Sequence, residues 1–167
     1  SPQNGDRESI SLPQSQIDYI KELAIHGARI ILVLTGGSPI ALGEIEDMVD
    51  AILFVWYPGM EGGHALARLL SGEANPSGKL PCVFPKSAKQ LPFFNPNADE
   101  IEYDLYHGYR LMDKEGQEPA FAFGFGLSYT TFEVDRLQVQ ANPINLDEKL
   151  KVSVRVKNSG PRAGAEV

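Results

Sequence analysis

The sequence predicts an α/β domain joined to the first strands of an antiparallel β-sandwich. Three observations carry that reading. Two apolar, β-branched runs, "RIILVLTGG" and "AILFVWYPG", close on glycine and read as strands. Stretches with helical spacing lie before, between and after them, and such alternation implies a mainly parallel sheet with flanking helices. Beyond residue 126 the pattern changes to alternating apolar and polar residues, as in half-buried antiparallel strands.

Each element follows in order. "LPQSQIDYIKELAIHG" is a helix, with Ile17, Ile20, Leu23 and Ala24 on one face and Gly27 placed to end it. After the first strand, Ser38 reads as an N-cap beside Pro39, opening the short helix "ALGEIEDMVD" with its acids outward. The second strand leads into "EGGHALARLLSG", a helix whose apolar face is Ala65, Leu66, Leu69 and Leu70 and whose C-cap is Gly72. "KLPCVF" is expected to be a shorter third strand. Residues 86–126 are irregular and rich in proline, asparagine and aromatics. Then Phe132, Val134, Leu137 and Val139 alternate, as do Leu150, Val152, Val154 and Val156. The expected division is therefore 1–85 for the second half of an α/β sandwich, 86–126 for an interdomain segment, and 127–167 for the start of an immunoglobulin-like sandwich. Two strands do not bury a sandwich core. Residues 127–167 are thus expected to stay disordered, to pair with a second copy, or to be completed by polypeptide outside these 167 residues.

Composition narrows the function. Fifteen basic against twenty-two acidic residues give a net charge of −7, which disfavours nucleic acid and anionic membranes as partners. Cys82 is the only cysteine, so no internal disulfide forms. His26, His64 and His107 are scattered, without the close pairing that metal ligation needs, and no metal or cofactor is expected.

Two motifs invite catalytic readings and fail on chemistry. "SGEANPSGKL" resembles a phosphate loop, but five residues rather than four separate Gly72 from Gly78, and Leu80 stands where a hydroxyl is needed. "LTGGSPI" resembles a nucleophile elbow around Ser38, yet Pro39 has no N–H to offer an oxyanion. Tyr103, Tyr106, Tyr109, Phe121, Phe123 and Phe125 suit either a sugar-stacking surface or an interdomain seam, with the seam favoured. Among carboxylates, Asp6 beside Arg7 reads as an ion pair pinning a loop. Glu61 sits at a strand-to-helix crossing, where open α/β sheets gather ligands and a helix dipole favours an anion.

The series "GDRESISLPQSQ", "VLTGGSPIAL", "WYPGMEGGHALARLLSGEANPSGKLPCVFP", "YHGYRLMD" and "PAFAFGFGLSYTTFEV" resembles the C-terminal part of family 3 glycoside hydrolases of the β-glucosidase type. The resemblance runs over nearly the whole chain. It implies a retaining hydrolase of terminal β-D-glucosyl or related β-glycosyl residues, acting on a β-glucoside or oligosaccharide. An N-terminal barrel would supply the aspartate nucleophile, a loop of the α/β sandwich the glutamate acid/base, and a fibronectin-III-like domain would follow. In many members of this family the acid/base lies just before the D-R pair, and here Gln3 and Asn4 stand at those positions, so either the acid/base lies before Ser1 or the motif has diverged. The two catalytic carboxylates are expected upstream of Ser1. Asp6 and Arg7 are left to shape the acid/base loop, with Glu61 as a further substrate-side candidate. The residues alone also admit a non-catalytic carbohydrate-binding or scaffold module.

Overall fold

A computed structural model describes residues 9–95, 98–140, 144–145 and 147–167. The chain gathers into two compact units, one of residues 1–63 with 80–125, the other of residues 64–79 with 126–167.

In the first unit, α1 spans Gln14–Ile25 and ends where Gly27 turns to φ +69°. β1 is Ile31–Leu34 and β2 is Ala51–Phe54, paired in parallel with Ile31 opposite Ala51 and Leu34 opposite Phe54. A 3₁₀ helix, Gly43–Met48, crosses between them. Asp50 fixes the start of the pair: its carboxylate accepts from the Ile30 N–H at 2.8 Å, and its own N–H donates to the Ile30 carbonyl at 2.8 Å. Ile20, Ile30, Leu34, Ile40, Leu42 and Ile45 form the core, against which Ile17, Leu23 and Ala24 of α1 pack. The helical spacing read from the sequence is therefore the spacing that meets the sheet. Among the described residues this sheet has two strands, and Ile31 stays half exposed.

Three local expectations are corrected. "KLPCVF" is not a third strand of the parallel sheet. Phe84 instead makes a single antiparallel bridge to Phe121, and Leu80 N–H donates to the Phe125 carbonyl. Pro81 and Pro85 flank that bridge and have no N–H to extend a ladder. Ser38 does not cap a helix, because the 3₁₀ helix begins at Gly43 with Leu42 as N-cap. The irregular segment also contains a helix, α3 at Tyr109–Glu115, bracketed by Gly108 (φ +59°) and Gly116 (φ +64°).

In the second unit, α2 (Gly62–Leu70, its first two residues belonging to the first unit) ends at Gly72, whose φ is +75°. β3, Phe132–Val139, pairs antiparallel with β4, Val152–Asn158, around a bulge at Arg136 and Leu137. One face carries cross-strand ion pairs, Glu133–Lys157 at 3.6 Å and Asp135–Arg155. Val134 opposite Val156 and Val139 opposite Val152 lie about half exposed.

The "SGEANPSGKL" loop acts as a clasp within this unit. Asn75 Oδ1 accepts from Ser128 Oγ and from Tyr129 N–H, both at 2.8 Å, while its Nδ2 donates to the Ala163 carbonyl at 3.0 Å. Lys79 Nζ donates to the Gly126 carbonyl at 2.8 Å and pairs with Glu166 at 3.1 Å. The lysine that resembled a phosphate ligand is thus committed to protein oxygens.

Asn75→Ala removes three hydrogen bonds, of which the one from Ser128 is partly buried and the other two are exposed, so the cost is about 1–3 kcal/mol for the Ser128 hydroxyl and less for the others. Hydrogen exchange on the variant is expected to show lost protection in β3 and β4 with α1 unchanged. Full protection of both strands would contradict the clasp.

Candidate functional site at the carboxyl ends of β1 and β2

Parallel pairing brings two loops to the same sheet edge. Val55 N–H donates to the Leu34 carbonyl at 2.9 Å and Gly36 N–H to the Trp56 carbonyl at 3.3 Å, so the pairing continues past the strands into both loops. Ligands of open α/β sheets bind at this edge. The first loop is Thr35-Gly36-Gly37-Ser38 and the second Trp56-Tyr57-Pro58-Gly59-Met60-Glu61.

The second loop turns sharply. Trp56 takes φ +50°, a strained value for a bulky residue, and Gly59 follows at φ +68°. Trp56 turns inward, its ring edge-on to Phe54 at 4.6 Å and to Phe84 at 6.3 Å. Phe84 continues the stack to Phe121 at 6.4 Å. Tyr57 turns outward and is 77% exposed, with its phenol end over Gly37. A Cβ at Gly37 would fall 2.8 Å from Tyr57 Cε2, so glycine is required for this approach. Likewise a Cβ at Gly62 would fall 2.6 Å from the Pro58 ring.

Glu61 is exposed and immediately precedes α2. Asp6 and Arg7 lie outside the described residues, as do Gln3 and Asn4. Tyr57 and Gly37 were not singled out in the sequence. The available signal was a glycine pair after one strand and an aromatic pair after the next. Among the described carboxylates, Glu46 is the one whose pKa is displaced: partial burial raises it, Asp47 raises it further and Lys86 opposes. It belongs to the 3₁₀ helix between the strands, not to the edge loops.

The aromatic segment makes its own contacts. Tyr109 packs on Phe123 at 5.3 Å, Phe121 on Phe125 at 5.2 Å, and Lys114 Nζ sits 3.9 Å from the Tyr106 ring centre. Leu91, Pro92, Phe94, Tyr103 and His107 line an open apolar pocket of about 390 Å³. His107 Nδ1 is tied to the Asp104 carbonyl at 2.8 Å.

Fold and edge together define a class: an α/β unit with two loops gathered at its parallel strand ends, in a chain that continues into an antiparallel ribbon. The chain belongs to the glycosyl hydrolase family 3 C-terminal domain family, whose model matches residues 2–129. It is 41% identical to a periplasmic β-glucosidase of Salmonella typhimurium over 96% of this chain and 22% of that protein. It is 42% identical to a xylan 1,4-β-xylosidase of Xylanibacter ruminicola over 97% of this chain and 18% of that one. The solved structure of β-glucosidase 3B from Thermotoga neapolitana in complex with α-D-glucose superposes with a TM-score of 0.81 at 40% identity, over 98% of this chain and 24% of that one. The chain thus spans about a fifth to a quarter of the proteins it matches.

Two outcomes test the edge. Gly62→Ala drives a Cβ into a rigid proline ring and should cost about 1–3 kcal/mol. Gly37→Ala meets only the far end of an exposed side chain, so it should displace Tyr57 with little loss of stability. Equal falls in melting temperature for the two variants would refute this ordering. For Glu46, a raised folded-state pKa means that its contribution to stability is present below the ordinary carboxylate range and is lost as pH rises through the raised value. Glu46→Gln should therefore melt higher than the parent at neutral pH, and the gap should close on acidification.

Proposed function

We infer that this chain is part of a retaining β-glucosidase-like glycoside hydrolase acting on terminal β-D-glucosyl or related β-glycosyl residues. The observation that carries the reading is the family match over residues 2–129, together with relatives named as β-glucosidases. A relative named as a β-xylosidase widens the expected sugar to β-xylosyl residues. In this reading the edge loops wall the mouth of the active site and Asp6 and Arg7 shape the acid/base loop. The chemistry itself needs a nucleophile and an acid/base some 5–5.5 Å apart, as retaining hydrolysis generally does. On this reading both belong to polypeptide upstream of Ser1.

The test compares the purified 167-residue chain with a complete polypeptide carrying it, on aryl β-glucosides and β-xylosides. Turnover is expected from the complete polypeptide and not from the chain alone. A complete polypeptide that binds oligosaccharide without cleaving it would replace this reading by the carbohydrate-binding one. Turnover by the chain alone, lost in Glu61→Gln, would place the chemistry here instead.

A further inference from the structure

We propose that Tyr57 is a sugar-stacking residue, whose ring packs on a pyranose of a β-linked oligosaccharide beyond the residue that is cleaved. The proposal rests on the glycoside-hydrolase reading and assigns a substrate contact within it.

Three observations converge on this ring. Its position is the carboxyl edge of a parallel sheet, where the pairing of Gly36 with Trp56 holds the two loops together. Its exposure is 77%, whereas the preceding Trp56 is folded into an aromatic stack. Its phenol end lies over Gly37, where an added Cβ would displace it, and behind it the Pro58 ring sits where a Cβ at Gly62 would clash. A tyrosine has only two side-chain torsions to restrict, so an exposed one binds with little loss of conformational freedom.

The chemistry around the ring selects the ligand. A β-linked pyranose presents a C–H face and a rim of hydroxyls. Tyr57 offers a matching apolar face, and the same two loops carry bare backbone at Gly36, Gly37 and Gly59. A protein partner buries roughly 800 Å² on each side of a standard interface. Beyond Trp56, Tyr57, Pro58 and Met60, these loops offer only glycine and polar groups, well short of the apolar area such an interface needs.

The experiment compares cellotriose with β-glucosyl fluoride, which has no ring beyond the bond that breaks, in the complete polypeptide. Aromatic contacts of this kind are worth a factor of roughly three to ten. Tyr57→Ala should raise KM for cellotriose by that factor and leave the fluoride unchanged, and Tyr57→Phe should restore the parent KM. Equal effects on both substrates, or none on either, would overturn the assignment. If the parent cleaves neither substrate, the hydrolase reading fails. The stacking is then decided by NMR titration of this chain with cellotriose. A shift of the Tyr57 ring signals supports it, and unmoved signals reject it.

Discussion

Two strands that pair in parallel leave their sheet at the same edge, so the register of Leu34 opposite Phe54 commits the next residues of both to neighbouring positions. Much of the first unit's chemistry depends on that constraint. Antiparallel pairing would send "TGGS" and "WYPGME" to opposite ends of the sheet. In parallel they share a hydrogen bond, Gly36 to Trp56, and a close approach, Gly37 to Tyr57. Asp50 anchors the other end by bonding to the backbone of Ile30, which fixes the register before the loops begin.

The second unit answers a different constraint. A two-stranded ribbon has little apolar burial of its own, and β3 and β4 expose nearly every side chain. Polar bonds from the 71–79 loop do much of the holding. A single asparagine uses its acceptor twice and its amide once, tying residues 128, 129 and 163 to the loop. Lys79, Tyr129 and Arg162 add bonds to the carbonyls of Gly126, Leu69 and Gly72. Such bonds are local and directional, so they set geometry at a modest net energy each.

Legibility in the sequence followed the range of the forces involved. α1, α2 and the four strands were readable because spacing and glycine punctuation are local signals. Gly27 and Gly72 sit at positive φ where a helix end requires it. The third strand failed because "KLPCVF" carries the apolar run of a strand but prolines at both flanks of its one bridge. α3 was missed because seven residues give under two turns of periodicity, and only Gly108 and Gly116 mark its ends. The Gly37–Tyr57 contact was out of reach for another reason. It joins residues twenty apart whose proximity exists only once the parallel register is known.

That last case explains why family motifs here look like chemistry and work as geometry. "GGSP" has the outline of a nucleophile elbow and "NPSGK" that of a phosphate loop, because glycine, serine and lysine serve any tight turn that must bond to backbone. What separates the uses is what the polar atoms meet. Lys79 meets the Gly126 carbonyl and Glu166, and Asn75 meets the backbone of residues 129 and 163. Gly37 meets a tyrosine ring. The first two are satisfied internally and stay with the fold. The third leaves a tyrosine ring facing water at the edge where open α/β sheets take their ligands.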